Sequence, residues 1–115
     1  VRTSIFTLVL LAACAAPQEQ ASTRGLTPDE GGLQPHGTEL RIDFGRARDG
    51  VVETVEELIG GPPRSRTLRT DCALMPVEIV SWKGLELVFL DGTFRGWRKT
   101  EGPPPLVAGM TCDPG

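Results

Sequence analysis

Apolar and polar positions are most regular between residues 77 and 98, where three extended runs, Val77–Trp82, Leu85–Leu90 and 93–98, are separated by Lys83-Gly84 and Asp91-Gly92. Glycine in the second place of a two-residue loop suits a type I′ hairpin turn, which needs positive φ there, and Asp-Gly is the stronger of the two signals. The pattern predicts an antiparallel three-stranded meander. With Asp91-Gly92 as a loop and a regular ladder, Leu90 opposes Thr93, Phe89 opposes Phe94 and Leu87 opposes Gly96. That register puts Leu85, Leu87, Phe89 and Phe94 on one face, the expected core. It puts Val88, Leu90, Arg95 and Trp97 on the other, which is expected to be exposed; the competing reading is that Trp82 and Trp97 pack under the helix or tail.

Upstream, Leu40, Ile42 and Phe44 alternate with Arg41 and Asp43 as in a half-buried strand, and Gly45 ends the run. Between residues 47 and 59, Val51, Val52, Val55, Leu58 and Ile59 fall at helical spacing, with Glu53, Glu56 and Glu57 turned outward. This predicts an amphipathic helix that either takes Asp49 as its N-cap or starts earlier and carries Gly50 inside it at a cost of about 1 kcal/mol, stopped by Gly60-Gly61-Pro62-Pro63. At the other end Gly102-Pro103-Pro104-Pro105 cannot continue a ladder, so the last meander strand ends near Lys99. Leu106, Val107 and Met110 then lie free to cover part of the sheet. The expected fold is α+β: one small antiparallel sheet, the meander plus one or two further strands, packed against one helix.

Length and composition narrow the class. A chain of 115 residues holds one domain, small enough to benefit from a covalent staple. Its formal charge of −3 makes it a poor ligand for phosphate backbones, so nucleic acid is not an expected partner. Three clustered arginines, Arg64, Arg66 and Arg69, could meet an anion or a partner's carboxylates. The plainer reading is that they solvate an edge strand or pair with the acidic helix face. His36, the only histidine, lies between Pro35 and Gly37 in a stretch without periodicity, which is no place for a catalytic or metal-binding ring. No catalytic constellation, metal site or cofactor is expected.

The first residues read as an export address. Arg2 precedes an apolar run over residues 5–16, too short to span a bilayer as a helix and suited to a secretory signal. Valine in place of an initial methionine fits a valine-coded start and, on that reading, a complete precursor. Leu11-Ala12-Ala13-Cys14 resembles the lipobox of bacterial lipoproteins, in which the cysteine becomes the first mature residue. The resemblance implies diacylglyceryl and N-acyl groups, palmitate among them, on Cys14, and two or three acyl chains anchor a protein firmly. Ala15 and Ala16, where an Asp would favour inner-membrane retention, imply the outer membrane. The expected organisation is a signal peptide over residues 1–13, a lipidated Cys14 with a flexible linker over 14–37, and an α+β domain over 38–115.

With Cys14 lipidated, Cys72 and Cys112 remain as an even pair in an oxidising compartment, and a disulfide between them is expected. A zinc site lacks a Cys-x-x-Cys pair, and a reactive thiol lacks a base beyond His36. Gly45 and Ile59-Gly60-Gly61-Pro62, flanked by a strand and a meander, weakly resemble over residues 38–98 small envelope lipoproteins and inhibitors with the β-lactamase-inhibitor-protein-like fold. The expected function is a non-enzymatic lipoprotein facing the periplasm and recruiting another envelope protein. Trp97, Arg95, Arg64, Arg66 and Arg69 are the candidate contact residues. The alternative is a periplasmic inhibitor or small-ligand binder using residues 64–69.

Overall fold

The computed structural model describes residues 25–72 and 76–112. Along the chain these form β1 (Leu26–Asp29), β2 (Gly32–Pro35), β3 (Ile42–Asp43), α1 (Arg48–Ile59), β4 (Ser65–Arg69), β5 (Val77–Trp82), β6 (Leu85–Leu90), β7 (Thr93–Lys99) and β8 (Val107–Gly109). The fold is α+β and its ladders are antiparallel, but there are two sheets, not the single one expected. One is β1-β2-β3 and the other is β4-β5-β6-β7-β8. The expected signal peptide over residues 1–13, Cys14 and the expected linker as far as residue 24 lie outside the described residues.

The second sheet corrects the expected domain boundary at residue 38. Residues 25–37 are not linker: Leu26 pairs with Pro35 and Pro28 with Leu33, and Leu26 and Leu33 are fully buried. Two leucines suffice because each strand is four residues long and only alternate positions face inward. His36 belongs to this hairpin, its backbone N–H donating to the Gly25 carbonyl and its Nε2 lying 2.8 Å from Thr27 Oγ1. The predicted upstream strand shrinks to Ile42 and Asp43, and Leu40 is 76% exposed.

The helix forms as the periodicity predicts, burying Val51, Val52 and Val55 with Glu53 and Glu57 outside. Its N-cap is Ala47 without a capping side chain, not Asp49, which sits in the first turn beside Arg48. Tertiary contacts stand in for the missing cap. Arg48 N–H donates to the Gly92 carbonyl and Phe94 N–H to the Arg46 carbonyl, which ties the helix start to the β6–β7 turn. Arg48 also grips Glu78 of β5 with both ends of its guanidinium, above the Phe89 ring. Gly60 closes the helix in the left-handed conformation, its N–H donating to the Glu56 carbonyl.

In the meander, Asp91 and Gly92 both have positive φ, 56° and 78°, as a type I′ turn requires. At Lys83-Gly84 only the glycine does, so that loop is not type I′. The register between β6 and β7 corrects the expected one. Phe89 opposes Phe94 as predicted, but Val88 opposes Gly96 and Leu87 opposes Trp97. Arg95 is therefore the extra residue of a β-bulge, and every later side chain of β7 changes face. Trp97 turns into the core, where it is fully buried and its Nε1 donates to the Asp29 carbonyl at 2.7 Å.

The main core spans both sheets and the helix. It joins Leu26, Leu33 and Ile42 of the small sheet, the α1 valines, and Val80, Trp82, Leu85, Leu87, Phe89, Phe94 and Trp97 of the large sheet. Trp82 Nε1 donates to the Gly61 carbonyl, fastening the helix stop to the sheet. Gly96 opposes Gly109 of β8, and a Cβ on Gly96 would collide with the Met110 carbonyl, so only glycine lets the two backbones approach so closely.

Two glycines therefore predict opposite results. Gly50 lies inside α1 with open space where a Cβ would stand, so Gly50→Ala should stabilise by about 0.5 to 1 kcal/mol in chemical denaturation. Gly96→Ala should destabilise by about 1 to 3 kcal/mol, the usual range for forced overpacking.

A pH dependence follows from Asp29. Hydrogen bonds from Arg41 hold its carboxyl below the ordinary value, against the opposing effect of burial and with help from the Gly31 N–H. A depressed folded pKa adds stability that is complete above the unfolded value, about 4, and is lost as pH falls through the folded value. Wild type should thus exceed Asp29→Asn in stability at pH 7, and urea denaturation down to pH 2.5 should show the difference shrinking below pH 4.

Candidate functional site

The large sheet has a covered face and an outer face. Helix and small sheet cover the first. On the outer face Ser65 opposes Ser81, Ser81 opposes Glu86, and Glu86 opposes Arg98, while Thr67 opposes Ile79 and Ile79 opposes Val88. These rows form the floor of a depression of about 270 Å³, bounded on one side by Arg69 and on another by Thr111 and Cys112. Its floor is apolar at Ile79 and Val88, and its titratable lining is Arg69, Glu86 and Arg98.

The Cys72–Cys112 disulfide forms one wall. Cys72 follows edge strand β4 and Cys112 follows edge strand β8, so the bond ties together the ends of the two outermost strands. Beneath it Val77, Val88 and Cys112 are buried, with Ile79, Leu90 and Cys72 packed against them. This second small core explains why Val88, expected to be exposed, is buried on the outer face. The bond closes a sequence separation of 40 residues, worth roughly 4 kcal/mol by the chain-entropy model. Asp71 approaches the two sulfurs, but sulfurs bonded to each other offer no thiolate to a metal.

The expected contact residues do not all converge. Trp97 leaves the list, because the bulge turns its ring into the core. Arg95 stays exposed at the bulge, and its carbonyl accepts the Met110 N–H that helps seat the tail. Arg69 is engaged by Asp71 through two hydrogen bonds of 3.0 and 2.9 Å. This pairing raises the arginine pKa and lowers that of the aspartate. Arg64 and Arg66 are exposed and lie beyond salt-bridge distance of any carboxylate among the described residues.

Ser65, Thr67, Ser81, Glu86 and Arg98 were not singled out by the sequence, although all line the depression. Alternation in β6, where Glu86 interrupts Leu85 and Leu87, was the signal available for one of them. The hydroxyl residues carry no such mark, since Ser and Thr suit any half-exposed strand.

Among the described residues no helix is long and apolar enough to cross a membrane. No family model, curated protein or solved structure matches the chain.

Proposed function

We propose that this chain is a small envelope lipoprotein whose folded domain is a non-catalytic binding or assembly module at the periplasmic face of the outer membrane. In this reading Cys14 carries the lipid anchor, and the domain recruits another envelope protein without a cofactor or nucleic acid. The observation that supports it is the β4 edge of the large sheet, which no other strand pairs with among the described residues. All of β4 from Ser65 to Leu68 is exposed beside an open depression of mixed polar and apolar lining, and Leu68 itself is 65% exposed. An edge strand of that kind is a ready template for pairing with another chain. The depression supports a second reading, a periplasmic inhibitor or small-ligand binder, with Arg69 and Arg98 as its cationic groups.

Two measurements test the proposal. Radiolabelled palmitate should enter the protein in a bacterial host and vanish in Cys14→Ala; incorporation that survives the substitution removes the anchor. A photo-crosslinking residue in place of Thr67 should give a discrete protein adduct in intact envelopes, while one in place of Glu53 on the helix should not. Absence of an adduct from Thr67, or equal adducts from both positions, overturns the binding-module reading.

A further inference from the structure

Strand β4 combines an edge left unpaired among the described residues with a charge pattern of its own. Its register against β5 puts Arg66 opposite Val80 and Leu68 opposite Glu78, so Arg66 and Leu68 share the face of the sheet that α1 covers elsewhere. Ser65 and Thr67, opposite Ser81 and Ile79, share the outer face with the depression. Arg64 stands immediately before the strand, and its N–H donates to the Ser81 carbonyl. A chain laid along this edge meets cationic and apolar side chains on one face, and hydroxyls with open space on the other.

The two edges of the sheet are unequal. β8 is three residues long and continues at once into the tail that the disulfide holds. β4 is five residues long and carries the exposed Leu68. A second copy is a poor occupant for it. Antiparallel pairing of two β4 strands about Arg66 or Thr67 sets Arg66 of one copy opposite or diagonal to Arg66 of the other, with Arg64 on the same face, and like charges so placed repel. The chain as a whole is acidic, with 15 acidic against 12 basic side chains, so the cationic edge is a local departure from its overall charge. Arg69 already has Asp71; Arg64 and Arg66 are the cations to which an incoming carboxylate brings a new pair.

We propose that β4 accepts an extended acidic segment of a partner protein as a sixth strand, antiparallel to β4, with an apolar residue beside Leu68 and carboxylates beside Arg66 and Arg64. The antiparallel sense follows from the rest of the sheet and from the better per-residue pairing of such ladders. Read from its N-terminus, the partner segment carries an apolar residue, then an acidic residue two positions on, then a further acidic residue. The residues between face the depression and are small or polar. This inference rests on the binding-module reading and names the chemistry of its partner.

The test uses the full lipidated chain in detergent micelles and the peptide acetyl-Thr-Val-Thr-Glu-Thr-Glu-Thr-amide, followed by titration calorimetry. The acidic peptide should bind, and its Glu→Lys counterpart should bind at least tenfold more weakly. The double change Arg64→Glu with Arg66→Glu, both at exposed positions, should reverse that order. N-methylation of alternate peptide nitrogens should abolish binding for one set and spare it for the other, as a strand ladder requires and a charge encounter does not. Equal affinity for both peptides, no reversal when Arg64 and Arg66 are both changed to Glu, indifference to both methylation sets, or no binding at all would each overturn the proposal. If the peptide fails while the Thr67 crosslinker still yields its adduct, the edge-strand inference falls and the binding module stands. If the peptide succeeds and the adduct is missing, the edge chemistry stands and the envelope partner falls.

Discussion

The Trp97 ring is the constraint on which the arrangement of the two sheets depends. A buried indole needs a partner for its N–H, and an orphaned donor loses about 1 to 3 kcal/mol. That partner is the backbone carbonyl of Asp29, 68 residues earlier in the chain. The contact can form only if the β1–β2 hairpin closes over the large sheet, so burial of one ring on β7 requires the N-terminal hairpin to be part of the domain. Asp29 serves both sides of the arrangement. Its carbonyl receives Trp97, while its carboxylate accepts the Gly31 N–H inside the hairpin turn and holds Arg41 at 2.7 and 2.8 Å.

The bulge at Arg95 also shapes the outer face. By rotating Trp97 inward it brings Gly96 outward, where the missing side chain lets β8 lie close against β7. Once β8 is seated, Met110 N–H bonds to the Arg95 carbonyl and the chain reaches Cys112 over the small core of Val77 and Val88. The disulfide then holds the far end of this path to the chain after β4. One end of the outer face is thereby filled by the protein itself and the other is left open. On the β7 side the sheet ends in the short β8, and among the described residues β4 remains the longer unpaired edge. The candidate site is what this closure leaves uncovered.

The helix illustrates how tertiary contacts replace a weak local signal. Its N-terminus lacks a capping side chain and it carries a glycine three residues into its length, both unfavourable for an isolated helix. The Asp91-Gly92 turn supplies the carbonyl for Arg48 N–H, and the Arg48–Glu78 pair anchors the first turn to β5. Both side chains are about three-quarters covered, so the pair is more strongly coupled than a surface ion pair, and losing either partner leaves a half-buried charge.

The sequence by itself determined the elements whose signals are local: the meander with its Asp91-Gly92 turn, the amphipathic helix with its Gly60 stop, the inward set Leu85, Leu87, Phe89 and Phe94, and the pairing of Cys72 with Cys112. Each rests on period-2 or period-3.6 spacing, on a residue suited to positive φ, or, for the cysteines, on the even pair left once Cys14 is set aside by its resemblance to a lipobox. Tertiary structure alone decided the face of Trp97, because a bulge is a mismatch between two strands and cannot be read from either. It also decided that residues 25–37 fold. Four-residue strands with prolines at positions 28 and 35 have the composition of a linker, and only burial of Leu26 and Leu33 against distant residues makes them a sheet. The depression was illegible for the same reason: Ser65, Ser81, Glu86 and Arg98 come from four strands, and it is register across the ladders, not spacing along the chain, that sets them side by side.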